Sequence, residues 1–258
     1  MSFAEIAWDG RRVRIEYEWV GAPGSGSTIV FLHEGLGSRS MWRDFPGKLA
    51  AALGMRALVY SRPGYGKSTP RAHGERWKPD FMHRQAHEVL PALLDVLAPR
   101  EPVWLYGHSD GGSIALLFAA RFPERVAGVV AAAPHIFVEP ISVSSIERTR
   151  LAYLETDLRE KLARHHDDVD SAFWGWNDIW LHPPFHEWSI EREIEAIRAP
   201  LLAIQGADDE YGTMEQIRGI KRRVPHAQLL ELAACGHSPH RDQPAAVIRA
   251  AVDFARSR

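Results

Sequence analysis

Residues 103–112 read VWLYGHSDGG, an apolar run that ends in the pattern Gly-x-Ser-x-Gly. The run predicts a buried strand, and residues 114–122 carry a helical pattern. A serine at the apex of such a strand-to-helix turn exposes its hydroxyl, and N–H groups at the helix N-terminus favour developing negative charge there. The pattern alone also fits a glycine-rich turn with an incidental serine. Its place between a strand and a helix predicts that Ser109 is a nucleophile.

Short apolar runs of the same kind recur along the chain. Continuous runs of this length are typical of strands that are buried on both faces of a parallel sheet. Strands that alternate with helices indicate crossover connections, so the sequence predicts an α/β fold with a mostly parallel central sheet flanked by helices. The further runs are 28–32, 57–60, 126–132, 201–204 and 228–232, and the helical patterns are 84–97, 114–122 and 245–255.

The N-terminal residues predict a β-hairpin ahead of the first parallel strand. Residues 13–19 alternate apolar with polar positions, and the turn that joins them to residues 4–8 is Asp9-Gly10. Asp-Gly is a strong hairpin signal because both residues tolerate a positive φ. A Gly/Ser/Pro loop over 21–27 is predicted to follow.

Composition is that of an ordinary globular protein. The chain has 258 residues, of which 45% are hydrophobic and 25% charged, and its formal net charge is -2. This balance gives no electrostatic reason to expect a nucleic-acid partner. The single cysteine, Cys235, cannot form an intramolecular disulfide. Because the N-terminus has no apolar signal segment and no run approaches 18 apolar residues, we expect a cytoplasmic protein with no membrane partner.

The base is predicted from residues 235–244, which read CGHSPHRDQP and follow the last apolar run. His237 therefore lies on a loop at the carboxyl end of a predicted strand, the edge at which open α/β sheets bind their ligands. A neutral imidazole accepts a serine proton near pH 7, which few side chains do. We predict that His237 is the base. His240 is the nearest alternative, and its structural role would be a polar residue in the first turn of the final helix.

The acid is predicted from residues 201–212, which read LLAIQGADDEYG, again a buried strand that ends in glycine and then acids. Asp209 lies 28 residues before His237. A carboxylate at this edge fixes the imidazole tautomer and stabilises the imidazolium. We predict that Asp209 is the orienting acid, with Asp208 and Glu210 as the alternatives.

Five motifs in this order resemble the α/β-hydrolase superfamily, and the resemblance covers nearly the whole chain. One of them, SRPGYGKS, resembles the family's D-x-R-G-x-G-x-S loop, with Ser61 in place of the usual acid. The order Ser109, Asp209, His237 is also the family's order along the chain. The resemblance implies an α/β-hydrolase fold, but it does not specify a substrate. The motifs are residues 33–37, 61–68, 107–112, 206–209 and 236–237.

The resemblance implies an oxyanion hole built from two backbone N–H groups. The residue after the nucleophile gives one of them, which assigns it to Asp110. The loop HEGLG gives the other: counting from His33 points to Gly35, and aligning the glycines points to Leu36. Each donor of such a hole is typically worth about 3–4 kcal/mol of barrier.

Two acidic residues depart from the family's pattern at this site. Glu34 stands where glycine is common, and it is either a loop carboxylate that accepts hydrogen bonds from nearby N–H groups or a polar group at the pocket wall. Asp110 stands where an apolar or amide residue is more usual. Because a carboxylate that faced an oxyanion would oppose it, we expect the Asp110 side chain to point away from the hole.

Residues 135–189 interrupt the alternation of strands and helices. They contain 55 residues with no clear buried strand, and helix-like stretches lie near 145–165 and 170–181. We interpret this segment as a helical cap, or lid, which the resemblance also implies at this point of the chain. Residues 1–134 and 190–258 then form the α/β-hydrolase core.

Aromatic residues are concentrated in the second half of the predicted cap. Trp176 and Trp180 are four residues apart and therefore share one helix face. We expect some of these aromatic residues to anchor the cap and one or two to roof an apolar pocket. The predicted pocket residues are Glu34, Met41, Trp42, His108, Ile136, Trp176 and Trp180.

No cofactor is predicted. Residues 165–168 read HHDD, which are metal-ligating residue types, but adjacent histidines and acids on a solvated helix are typical of an ordinary surface, and we predict no metal site. The expected partner is a small-molecule substrate, and a homodimer is an open alternative.

The resemblance implies hydrolysis, and Ser109 narrows its chemistry. We expect cleavage of a small to medium hydrophobic or aromatic carboxylic ester through an acyl-enzyme. Dehalogenase and epoxide hydrolase chemistry are disfavoured, because the nucleophile position holds serine instead of aspartate. Thioester hydrolysis, carbon–carbon bond hydrolysis of dienoates, amide hydrolysis and perhydrolysis use the same three residues and stay open. A non-catalytic ligand-binding receptor on the same fold is the alternative of another class.

Overall fold

The structure is a computed structural model that describes residues 2–21, 26–97 and 102–257. Residues 22–25 of the predicted Gly/Ser/Pro loop lie outside the described residues. In these ranges eight strands form one sheet in the order β1-β2-β4-β3-β5-β6-β7-β8. The strands are β1 (Ser2–Trp8), β2 (Arg11–Val20), β3 (Thr28–Leu32), β4 (Arg56–Tyr60), β5 (Val103–His108), β6 (Val126–Ala132), β7 (Leu201–Gly206) and β8 (Gln228–Leu232).

The sheet is mostly parallel, as predicted. Strands β3 to β8 pair in parallel with their neighbours, whereas β1 and β2 form an antiparallel hairpin that joins the sheet by antiparallel pairing of β2 with β4. The hairpin turn is the predicted one: Asp9 and Gly10 have φ of 54° and 70°, and Trp8 pairs with Arg11. Positive φ at both turn residues matches the twist of the flanking strands.

Helices cover both faces of the sheet. Helices α1 and α10 contact each other on one face, and α3 and α4 pack against strands on the other. The predicted helices 84–97, 114–122 and 245–255 are present with longer bounds, and the first contains a π-helical stretch, Gln85–Val89. The helices outside 135–189 are α1 (Phe45–Leu53), α2 (Phe81–Arg84), α3 (Leu90–Leu97), α4 (Asp110–Arg121), α8 (Glu215–Arg223), α9 (Pro239–Asp242) and α10 (Pro244–Arg256).

The segment 135–189 lies between β6 and β7 and is helical. It contains α5 (Pro140–Glu155), α6 (Leu158–Ala163) and α7 (Val169–Trp180). An antiparallel bridge pairs Phe137 with Ser189 at its base, and the Ile190 N–H donates to the Ile136 carbonyl at 2.8 Å. The two ends of the segment are therefore joined where they leave the sheet. The division into core and cap stays a prediction.

Every helix in the described ranges is too short or too polar to cross a bilayer.

Candidate active site

Ser109 lies at a strained turn between β5 and α4. Its φ is 54° and its ψ is -122°, a conformation that non-glycine residues rarely adopt. The neighbouring glycines permit the turn: a Cβ on Gly107 would lie 2.2 Å from the Gly111 carbonyl oxygen, and one on Gly111 would lie 2.0 Å from that of Leu32. Close backbone packing therefore requires glycine at both positions, and it exposes the serine hydroxyl at the helix N-terminus.

His237 lies beside this hydroxyl, on the loop that follows β8. Its Nε2 is 2.9 Å from Ser109 Oγ, and its Nδ1 is 2.9 Å from both carboxylate oxygens of Asp209. A neutral imidazole that donates its Nδ1–H to Asp209 keeps Nε2 free to accept the serine proton. The structure thus brings together the three side chains that the sequence analysis selected as catalytic.

Asp209 is fixed by more than His237. Gln205 donates to its Oδ2 at 2.6 Å, and the N–H groups of Tyr211 and Gly212 donate to its Oδ1 at 2.8 and 3.2 Å. Of the three candidate acids, Asp208 and Glu210 are exposed and only Asp209 is buried. These bonds hold the carboxylate in one orientation toward the imidazole.

The pair shifts both pKa values in the direction a base needs. Burial by itself would lower the pKa of His237, but the hydrogen bond and charge of Asp209, with the nearby Glu210 and Glu34, raise it above the ordinary value. Burial would raise the pKa of Asp209, but contact with His237 and the Tyr211 N–H lower it. The acid therefore stays ionised across the range in which the base titrates.

We expect kcat/KM to increase with pH through an apparent pKa above the ~6.5 of a free imidazole. His237 can accept a proton only when it is neutral. Because its pKa is raised, it stays protonated at pH values at which a free imidazole is already neutral. Activity is therefore lost as the pH falls through that raised pKa. Initial rates on a neutral ester between pH 5 and 9 measure this. Glu210→Gln removes one of the charges that raise the pKa of His237, so the rising limb of the profile of kcat/KM against pH should move to lower pH. A rising limb below pH 6 in the unmodified protein would contradict the assignment of His237 as the base.

The loop of residues 33–37 packs against the nucleophile turn. It is closed by the Gly37 N–H, which donates to the Glu34 carbonyl at 3.1 Å, and both candidate oxyanion residues, Gly35 and Leu36, line the same cavity as Ser109. A Cβ on Gly35 would lie 2.1 Å from the Trp176 indole nitrogen, so the indole lies directly on this backbone. Helix α4 begins at Asp110, whose N–H, as the first of the helix, has no partner within the helix.

Asp110 is a fully buried acid whose charge is partly balanced. One carboxylate oxygen accepts a hydrogen bond from the Trp180 indole at 3.2 Å, and the other lies 3.8 Å from the buried Arg62 guanidinium. Burial raises the pKa of Asp110 to about 6, although the charge of Arg62 opposes this. The same guanidinium donates to the Glu34 carbonyl at 2.8 Å. Arg62 therefore contacts both Glu34 and Asp110, which lie on the two sides of the predicted oxyanion hole.

Glu34 lines the cavity and contacts a buried histidine. Its Oε2 is 3.4 Å from His108 Nδ1, and His108 Nε2 donates to the His237 carbonyl at 2.6 Å. Burial would raise the pKa of Glu34, but the contact with His108 and two further histidines lower it, so the side chain is an anion near neutral pH. Of the two interpretations of Glu34, its location agrees with the polar group at the pocket wall.

A cavity of about 110 Å³ opens at Ser109. Its volume is of the same order as that of an apolar cavity that binds benzene, roughly 150 Å³. Nine of the predicted site residues line it: Glu34, Gly35, Leu36, His108, Ser109, Asp110, Trp176, Trp180 and His237.

Three predicted pocket residues lie elsewhere. Trp42 and Met41 do not line this cavity. Trp42 packs in the core on the face of the sheet that α1 and α10 cover, with its ring centroid 4.8 Å from that of His240. Ile136 is also outside it, because the chain leaves β6 towards α8, where a Cβ on Gly219 would lie 2.7 Å from Ile136 Cδ1. The prediction that Met41, Trp42 and Ile136 belong to the pocket is therefore corrected.

Asp167 and Asp168 of the HHDD segment are exposed, as expected of a surface, but His166 is buried. Its Nδ1 accepts the Gly66 N–H at 2.9 Å, and its Nε2 donates to the Leu36 carbonyl at 3.0 Å. His166 thus holds the loop 33–37 from the side of segment 135–189. Across the described ranges no group of three or more histidine, cysteine or acidic side chains is arranged to hold a metal ion.

Sequence reasoning missed several residues of the site. His135, Ile146, Tyr211 and Ser238 also line the cavity. His135 follows β6 at the carboxyl edge and Tyr211 is two residues from Asp209, so the rule that strand ends meet at one edge could have found both. Ile146 lies on α5, where nothing in the sequence marks it as facing the site.

Comparison with known proteins agrees with this fold. The model of the family described as "Alpha/beta hydrolase family" matches residues 29–250. A 2-hydroxy-6-oxo-6-phenylhexa-2,4-dienoate hydrolase from Burkholderia cepacia is 24% identical over an alignment that covers 90% of this chain and 88% of that hydrolase. Among solved structures, a thermophilic esterase from Thermogutta terrifontis has a TM-score of 0.76 at 21% identity, covering 100% of this chain and 99% of its own. The enol-lactonase from Burkholderia xenovorans LB400 has a TM-score of 0.75 at 23% identity, covering 99% of this chain and 100% of its own.

The sheet order and the helices on both of its faces define the α/β-hydrolase fold. The chain belongs to the alpha/beta hydrolase family, because that family's model matches most of its length. It is therefore a hydrolase.

Proposed function

We propose that the protein is a serine hydrolase that cleaves a small, neutral carboxylic ester through an acyl-enzyme intermediate. The observation that carries this is the chain of contacts from Ser109 Oγ to His237 Nε2 at 2.9 Å and from His237 Nδ1 to Asp209 at 2.9 Å. Segment 135–189 is the proposed cap, because Trp176 and Trp180 of α7 close the cavity over the nucleophile.

In the proposed reaction Ser109 Oγ attacks the ester carbonyl carbon while its proton passes to His237 Nε2. The oxyanion that forms is stabilised by the Asp110 N–H and by an N–H of the loop at Gly35 or Leu36. The bond to the alcohol oxygen then breaks, and His237 gives that oxygen its proton. A water molecule attacks the acyl group in the same way, which releases the carboxylic acid and restores the serine hydroxyl.

Charge around the cavity favours a neutral substrate. The wall carries the Glu34 carboxylate, and none of its described lining residues is a lysine or an arginine. A substrate carboxylate would lose its hydration there and meet a like charge, which is unfavourable in a partly buried site. The cavity volume of about 110 Å³ further favours a short acyl group.

Carbon–carbon bond hydrolysis of a dienoate is the second candidate. The relative from Burkholderia cepacia is named for this reaction. A dienoate is an anion, so the same Glu34 carboxylate that favours neutral esters counts against it. Thioester hydrolysis stays open on the same three residues.

A substrate screen tests the proposal. We expect p-nitrophenyl acetate and butyrate to be hydrolysed with higher kcat/KM than the octanoate and decanoate, and a dienoate acid to be a poor substrate. An acyl thioester of the same chain length is measured beside them. Efficient cleavage of the dienoate with no hydrolysis of short esters would replace the ester proposal with the second candidate.

A further inference from the structure

His135 is a buried polar residue of the cavity that the proposed mechanism does not use. It lines the cavity, is 3% exposed, and its Nδ1 is buried without a hydrogen-bond partner among the described residues. Buried polar groups are nearly always paired, so an unpaired one in a ligand cavity calls for an explanation.

The position of His135 is fixed through its backbone. Ser113 Oγ donates to the His135 carbonyl at 2.6 Å and accepts from the His135 N–H at 3.1 Å. The imidazole ring lies 4.9 Å from the Trp180 ring in an edge-to-face arrangement and 5.8 Å from the His237 ring. The backbone groups are thus paired, and the ring stands beside the reacting residues with its own hydrogen-bonding capacity unused.

The ring is neutral under working conditions. Burial lowers the pKa of His135 to about 3, and His237 lowers it further, against the opposing charge of Asp209. A neutral imidazole has one N–H donor and one acceptor nitrogen. It therefore suits a neutral polar group of a ligand such as a hydroxyl, which both donates and accepts.

We expect the acyl part of a substrate to be the part that reaches this ring. The leaving alcohol takes its proton from His237, whose side chain is 12% exposed, whereas His135 and Trp180 are 3% and 1% exposed. We expect the alcohol to depart on the more open side, which leaves the enclosed end for the acyl group. A ring 5.8 Å from that of the base is within reach of an acyl carbon one or two bonds from the scissile carbonyl.

We propose that His135 is a specificity-determining residue that binds a hydroxyl group near the carbonyl of the substrate's acyl part, so that the natural substrate is an ester of a short hydroxy acid. This inference rests on the proposed ester hydrolysis. It goes further by naming the acyl class and the residue that selects it.

The test compares p-nitrophenyl butyrate with its 2-hydroxy and 3-hydroxy analogues, each enantiomer separately. We expect one hydroxy ester to have a kcat/KM roughly 10-fold above that of butyrate, the usual worth of one hydrogen bond to a neutral group. His135→Phe keeps a ring of similar size but has no nitrogen, and it should abolish the preference by slowing the hydroxy ester more than plain butyrate. His135→Asn, which retains a donor and an acceptor, should keep part of it.

His240→Phe is the matched control. His240 is also buried with an unpartnered Nδ1, but it lies outside the lining of this cavity, so its replacement should leave the ratio between the two esters unchanged. The ratio is measured with the thermal midpoint of each variant, so that a folding defect is recognised separately.

Three outcomes overturn the role of His135: a wild-type protein with no hydroxy-ester preference, a His135→Phe variant that retains it, and equal loss on both esters, which a purely structural residue would give. In each of these cases hydrolysis of plain butyrate leaves the proposed function standing. A protein that hydrolyses neither ester and is not labelled at Ser109 by a fluorophosphonate would remove the proposed function, and the role of His135 with it.

Discussion

Ser109→Ala should lower kcat/KM for p-nitrophenyl butyrate by roughly three to six orders of magnitude, the range seen when a nucleophile of this type is removed. The substitution deletes the atom that would form the proposed acyl-enzyme. His237 then has no hydroxyl from which to take a proton. Steady-state rates, with active enzyme counted by burst titration for the wild type, give the ratio.

Folding should survive this change. Alanine fits the space of the serine, and the hydroxyl contributes one hydrogen bond, to His237, worth about 1 kcal/mol. The thermal midpoint of Ser109→Ala therefore stays within a few degrees of the wild type. A folded variant that retains more than a tenth of the activity would show that another residue is the nucleophile.

Asp209→Asn should lower kcat/KM by roughly 10⁴-fold, as the loss of the orienting carboxylate does in related triads. An amide at this position can present N–H to the His237 Nδ1, which favours the wrong tautomer, and it no longer stabilises the imidazolium. The buried carboxylate also accepts from Gln205 and from the N–H groups of Tyr211 and Gly212, so some loss of stability accompanies the loss of rate.

Asp208→Asn is the matched control for this substitution. Asp208 precedes Asp209 in the chain, but its side chain is exposed, and its backbone N–H donates to the Cys235 carbonyl in either variant. We expect its activity to remain within about twofold of the wild type. A large loss in Asp208→Asn with a small one in Asp209→Asn would move the acid by one position.

Most of the sheet could be predicted from the sequence because most of the parallel strands contain a continuous apolar run. Strand β3, for example, has the bounds that its run 28–32 predicts, and the Asp9-Gly10 turn predicts the hairpin. Strand β8 differs, because Gln228 and Glu231 interrupt its apolar residues and most of it is not buried. Helices α1 and α8 were not predicted. Helix α1 carries proline and glycine in its first turn, and α8 is short and dominated by charged residues around Ile217 and Ile220.

The candidate site was predictable where it depends on strand ends and was not where it depends on packing. Ser109, Asp209 and His237 each follow a parallel strand, so topology alone brings them to one edge. The pocket members Trp42 and Ile136 were wrongly assigned because their side-chain directions are set by tertiary contacts, which spacing along the chain does not encode.

The contacts of the Asp110 carboxylate beneath the site also could not be predicted from the sequence. Asp110 was expected to turn away from the hole, and its carboxylate lies against Trp180 and near Arg62, residues that are 70 and 48 positions away in the chain. Such a pairing depends on the fold as a whole. The Ser61-Arg62-Pro63 motif gives no sign that its arginine reaches under the nucleophile turn.

We propose that an imidazole, itself oriented by a buried carboxylate, activates one serine hydroxyl for covalent attack. Incubation with a fluorophosphonate, followed by peptide mass spectrometry, tests this activation directly. We expect one adduct per chain, on Ser109, which is absent in Ser109→Ala and forms far more slowly in Asp209→Asn. Folded wild-type protein that remains unlabelled, or that carries its adduct on a different residue, would contradict it.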